Sequence, residues 1–145
     1  MFSPGVRIPM RSDDLLSEAA ESEVVLEFAQ RCADAYLAGH PADDPVVAPL
    51  SADLRGLPPM LIQAARGDAV RKDADALADR AQSHGVDVRL ELFPTDVHCF
   101  QLFWSFLPEA IDAVEQAAAF ARGVASSAGD AHPMPRSSAR RRQRA

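Results

Sequence analysis

Two stretches of the chain carry the clearest pattern of apolar and polar positions. Met60-Leu-Ile-Gln-Ala-Ala65 is a nearly continuous apolar run bounded by Pro59 and Gly67. That is the pattern of a strand covered on both faces. Val86 to Phe93 alternates instead, with Val86, Val88, Leu90 and Leu92 on one side and Asp87, Arg89 and Glu91 on the other. This pattern predicts a half-exposed strand. Between them Ala74, Leu77, Ala78 and Ala81 recur at helical spacing, with Asp73 as the candidate N-cap and Gly85 as the stop. Strand, helix, strand in that order predicts a right-handed parallel crossover.

The flanks are less regular. Residues 1–14, with two prolines and a glycine, read as irregular, and Asp13-Asp14 could cap a turn through Leu15-Leu16. From about Ser22 a helix is expected whose stripe Val25, Phe28, Ala29, Cys32 and Tyr36 faces the core, ended by Gly39 with Pro41 just beyond. His40 to Pro59 is rich in proline and turn residues and reads as a loop, of a length that is often functional. Phe100 to Leu107 is strongly apolar and partly helical in pattern. Pro108 then opens a helix with a buried stripe of Ile111, Val114, Ala118 and Ala121. From Gly123 onward Gly, Ser, Pro and Arg replace any apolar period, which divides the chain into a partial domain, 1–122, and a disordered Arg-rich tail, 123–145. Two parallel strands with open edges are marginal by themselves, so the pattern implies part of a larger α/β sheet or a borrowed one.

Composition narrows the function classes. At 145 residues, 48% of them apolar and 25% charged, the chain has the makings of about one globular domain. It has no apolar run of the ~20 residues that span a membrane, and Met1 to Met10 lacks the charged start and apolar core of a secretory signal. Cys32 and Cys99 are read as free thiols of a cytoplasmic protein. Residues 1–122 hold 10 Lys/Arg against 20 Asp/Glu, and residues 123–145 hold 5 against 1. The acidic body argues against nucleic acid as the main partner. The Arg140-Arg-Arg-Gln-Arg144 cluster could touch an acidic surface, but a solvated extension is the simpler reading.

The candidate chemistry sits at the ends of the two strands. Loops leaving the carboxyl ends of parallel strands converge on the ligand crevice. Asp68 follows the first strand, and His98 follows the second, 30 residues later. A carboxylate that accepts a histidine's Nδ1–H fixes the tautomer and leaves Nε2 to take a proton from a nucleophile. No activated nucleophile is evident. None of the glycines is followed two positions later by serine, as the elbow G-x-S-x-G requires. Ser51, Ser105, Ser126 and Ser127 lack that context, and Cys99 would have to face the adjacent His98 across a strained backbone. His84-Gly85 reads as a helix end rather than an oxyanion loop, and His40 and His132 read as solvated. With no zinc spacing and no Gly-rich phosphate loop, no metal or cofactor is expected.

Several motifs in order, Asp44-Pro-Val-Val-Ala-Pro-Leu50, Asp53-Leu-Arg-Gly-Leu-Pro-Pro-Met-Leu-Ile-Gln63 and His98-Cys-Phe-Gln-Leu-Phe103, resemble the C-terminal third of the hormone-sensitive-lipase family. Ala33-Asp-Ala-Tyr-Leu-Ala-Gly39 resembles the segment before it in bacterial members. The resemblance covers most of residues 7–122. It implies the C-terminal part of an α/β-hydrolase, esterase or lipase-like chemistry on short-chain or medium-chain acyl esters, and Asp68 and His98 as the acid and histidine of a Ser-His-Asp triad. Lys72 and Thr95 depart from the family's usual Asp and Gly. The family's nucleophile and oxyanion motifs lie N-terminal to the region present, so the chain reads as truncated and inactive alone. The resemblance also implies homodimerisation through residues 86–93 and 108–122. Two other readings stay open: a non-catalytic remnant or interaction fragment, and a piece that completes a hydrolase in trans with an N-terminal half. An interaction protein acting through its Arg-rich tail is the third class. Phe100 to Leu107 could line the acyl pocket or pack in the core.

Overall fold

The computed structural model describes residues 1–8 and 23–130. Its elements are helix α1 (Glu23–Leu37), strand β1 (Met60–Ala65), helix α2 (Arg71–Ser83), strand β2 (Val88–Phe93), a short 3-10 turn (Phe100–Phe103) and helix α3 (Pro108–Asp130). The two strands are parallel and in register from Met60 opposite Val88 to Ala65 opposite Phe93, as the apolar pattern predicts.

Helices cover both faces of this pair, which explains the two strand patterns. On one face Ile62 and Ala64 meet Ala74, Leu77, Ala78 and Ala81 of α2, with Val88, Leu90 and Leu92 packed alongside. On the other face Ala65 and Phe93 meet Phe100 and, from α3, Ala110 and Ala113. β1 is therefore buried on both sides. Gln63 also points at α3, and its buried Nε2 donates to Glu91 Oε2 at 2.9 Å and to the carbonyl of Ala113 at 3.0 Å. The amide nitrogen of this polar residue is thus partnered from both β2 and α3, while its Oε1 is buried without a partner.

Five expectations need correction. Met1 to Ser3 are not irregular: Phe2 bridges Gln63 in parallel fashion, with Gln63 N donating to Met1 O at 2.9 Å and Ser3 N to Gln63 O at 2.7 Å. A pairing this short leaves no periodic trace in sequence. Asp73 does not cap α2, whose N-cap is Val70. It lies in the first turn, buried, and accepts Val6 N at 2.6 Å, Arg7 N at 3.0 Å and the Arg7 guanidinium. The α1 stripe does not face a core, since Phe28, Cys32 and Tyr36 are exposed and line a shallow groove with Gly5, Arg7 and Ile8. The buried face of α3 is Ala110 and Ala113, whereas Ile111 and Val114 are exposed. The small side chains let the helix come close to the sheet, and the larger ones turn outward. Finally, α3 runs through Gly123 to Asp130, with the Ser126 and Ser127 hydroxyls bonded to the carbonyls of Arg122 and Gly123. The expected turn at Asp13-Asp14 and the expected tail from residue 131, with its arginine cluster, lie outside the described residues.

The loop from His40 to Pro59 is ordered by packing. Leu54 is buried in the α2-side core, its N–H donates to His84 Nδ1 at 2.9 Å, and Arg80 Nη2 donates to Ala52 O at 3.0 Å. His40 is not merely solvated, because its Nε2 lies 2.8 Å from Asp44 Oδ2.

These assignments separate two residues that sequence pattern treats alike. Leu77 is 2% exposed and Phe28 69%. Leu77→Ala is expected to cost about 2–5 kcal/mol, and Phe28→Ala within about 0.5 kcal/mol. Urea titration followed by circular dichroism measures both.

Candidate active site

The register of β1 and β2 sets the site. Because Ala65 and Phe93 are partners, the two chains leave the sheet side by side, and their loops stay tied: Arg66 N donates to Phe93 O at 2.9 Å and Gly67 N to Thr95 O at 3.2 Å. The first loop then closes on Asp68. Its Oδ1 accepts the N–H of Val70 at 3.0 Å and its carbonyl accepts that of Arg71 at 3.0 Å, which turns the chain into α2.

The second loop is anchored from beyond. Phe100 is fully buried with its ring centroid 5.1 Å from that of Phe93. Between that anchor and the strand, Cys99 takes the left-handed conformation, φ 52°, which few non-glycine residues adopt. The reversal leaves His98 over the first loop. His98 Nδ1 lies 3.0 Å from Asp68 Oδ2 and 3.2 Å from Oδ1. An ionised carboxylate only accepts, so Nδ1 carries the proton and donates, and neutral His98 keeps an acceptor lone pair on Nε2. The Asp68 side chain is 1% exposed and the His98 side chain 54%. The carboxylate is withdrawn from water, while the imidazole reaches solvent. No described residue is bonded to its Nε2.

The two residues singled out in sequence are thus brought together, and the alternatives are not. Cys99 is a free thiol with no bond to the neighbouring ring. Ser126 and Ser127 are engaged with α3 carbonyls, and Ser51 lines a separate cavity with Asp53, Arg55, Arg80, Ser83 and His84. In that region Arg55 donates to both carboxylate oxygens of Asp53 and holds its carboxyl well below the usual carboxylate range. The backbone N–H of Val46, with His40, lowers Asp44 in the same sense. Neither group touches Asp68 or His98. Among the described residues no cluster of three or more His, Cys, Asp or Glu is placed to hold a metal.

Two contributors were missed in the sequence. Ser3 Oγ accepts the N–H of Cys99 at 3.1 Å across 96 residues of chain. Gly67 lies so close to Asp96 that a β-carbon there would fall 2.0 Å from Asp96 Oδ1 and 3.0 Å from its Cβ. A glycine after a strand is a signal for close approach, but not for what approaches.

Comparison with known proteins fits this geometry. A family model for the alpha/beta hydrolase fold matches residues 1–102. The chain belongs to that family. An acetyl-hydrolase of Streptomyces hygroscopicus is 38% identical over 102 residues, covering 69% of this chain and 34% of that protein. An esterase of Acinetobacter venetianus is 29% identical over 126 residues, covering 86% and 42%. Among solved structures, an esterase of the bacterial hormone-sensitive lipase family superposes with a TM-score of 0.75 at 34% identity, covering 85% of this chain and 42% of that one. The fold is therefore that of a hormone-sensitive-lipase-like α/β hydrolase, and the chain spans well under half the length of these relatives.

The crowding at Gly67 yields a test. Gly67→Ala should make the exposed Asp96 carboxylate swing aside and destabilise the chain by about 1 kcal/mol or less. On an Asp96→Gly background most of that cost should vanish, a coupling that a double-mutant cycle in urea measures.

Proposed function

We propose that this chain supplies the acid–base half of a carboxylic-ester hydrolase. The observation that carries the reading is the Asp68–His98 pair, a buried carboxylate bonded through both oxygens to Nδ1 with Nε2 left open. In this reading Asp68 fixes the tautomer and stabilises the imidazolium. His98 takes the proton from a serine as it attacks the ester carbonyl, then returns it to the departing alkoxide. Water repeats the cycle on the acyl-enzyme. The substrate class is an ester of a short or medium acyl chain, in keeping with the acetyl-hydrolase and esterase relatives.

The serine and the oxyanion donors that this pair would serve lie outside these 145 residues. Without them the covalent step and the largest electrostatic contribution are both missing, so the chain alone is proposed to have little or no turnover. An N-terminal hydrolase half is the partner that would complete it. A homodimer through β2 and α3, and a cytoplasmic setting, belong to the same proposal. No helix among the described residues is long and apolar enough to cross a membrane.

The test is a chimera in which residues 1–122 replace the matching region of the Streptomyces acetyl-hydrolase. It is expected to hydrolyse p-nitrophenyl acetate, and His98→Ala within it to lower kcat by about 10⁴-fold or more. A folded chimera whose activity is indifferent to both His98→Ala and Asp68→Ala would contradict the assignment.

A further inference from the structure

The strap from Ser3 to Arg7 is held at both ends by groups that belong to the site. At its far end the buried Asp73, in the first turn of α2 and five residues after Asp68, accepts the N–H groups of Val6 and Arg7. At its near end Ser3 N donates to Gln63 O at 2.7 Å, and Ser3 Oγ accepts Cys99 N–H at 3.1 Å. Ser3 is 4% exposed. It also has φ 39°, and Cys99 has φ 52°. Two non-glycine residues in the left-handed region are therefore joined by one hydrogen bond, immediately after His98. Each conformation is costly and persists only where its surroundings over-determine it. Ser3 precedes Pro4, a position already biased toward extended backbone, so its conformation is doubly unfavourable.

We infer that Ser3 is a positioning residue for His98: by accepting the Cys99 N–H it holds the reversed backbone that aims the imidazole at Asp68. The inference rests on the acid–base reading above. In the absence of this bond Cys99 has reason to leave the left-handed region. The Phe100 anchor would remain, but it lies beyond the reversal and fixes where the loop ends rather than which way His98 points. The strap then has a clear purpose. It links the first turn of the acid's helix to the histidine loop by a route independent of the Asp68–His98 bond.

The experiment is long-range ¹H–¹⁵N spectroscopy of the His98 ring in the full chain, which reads the Nδ1–H and Nε2–H tautomers of neutral imidazole separately. The wild type should be locked in the Nδ1–H form, and Asp68→Asn should lose that lock. Ser3→Gly relieves the backbone at position 3 and removes only the acceptor. It should shift His98 toward a mixture dominated by Nε2–H while the amide signals of Ile62 and Leu77 stay in place. Ser3→Gly with the lock intact would overturn the inference even though the dyad stood. A lock that survives Asp68→Asn would overturn the dyad itself, and the role of Ser3 with it. Should Ser3→Gly fail to fold, amide exchange in the unaltered chain decides: the Cys99 N–H should exchange about fivefold or more slower than in a free peptide, as one net hydrogen bond provides. Exchange at the free-peptide rate would overturn it.

Discussion

Ala65 and Phe93 form the last rung of the parallel pair, and the site is built on that rung. Parallel pairing sends both chains out of the sheet at the same end, so the loop carrying Asp68 and the loop carrying His98 start as neighbours. A slip of one residue would turn each β2 side chain to the opposite face. Phe93 would then leave Phe100 and Ala113, and the histidine loop would lose its footing. The register is itself held by burial on two sides, with α2 on one face and α3 on the other. Packing of small side chains in a two-sided core thus sets the distance between a carboxylate and an imidazole.

Around that rung the bonds form a closed circuit. β1 leads to Asp68, α2 carries Asp73, Asp73 holds the strap at Val6 and Arg7, and the strap returns through Ser3 to Cys99 beside His98. The circuit joins the first seven residues to positions 66 to 96 residues further along the chain. In such an arrangement Asp68 and His98 are tied twice, once by contact with each other and once through the backbone. Precision of this kind is what the proposed proton-transfer role would require, since geometry comes before acidity there.

Much of this was legible in the sequence because it rests on local pattern. The continuous run 60–65 and the alternation 86–93 gave two strands of different exposure, Gly39 and Gly85 marked helix ends, and Pro108 opened the last helix. Asp68 and His98 could be singled out by their places after the strands. What was not legible depends on partners far along the chain. Asp73 looked like a cap because aspartate before a helix usually is one, yet its carboxylate serves residues 6 and 7. Met1 to Ser3 showed no period because three residues are too few for one. Phe28, Cys32 and Tyr36 of α1 have the spacing of a core face and are exposed, and the buried face of α3 is its alanines rather than its larger residues. Amphipathic spacing tells which residues share a face, not which face finds a neighbour.

The proposed function turns on the Asp68–His98 pair having, among the described residues, no serine placed against its open Nε2. The most direct test is exposure of the purified chain to a fluorophosphonate, read by intact mass, with circular dichroism to show that it is folded. The account predicts helical signal and no adduct. A stoichiometric adduct that disappears in His98→Ala would contradict it, because some serine of this chain would then be activated by the pair.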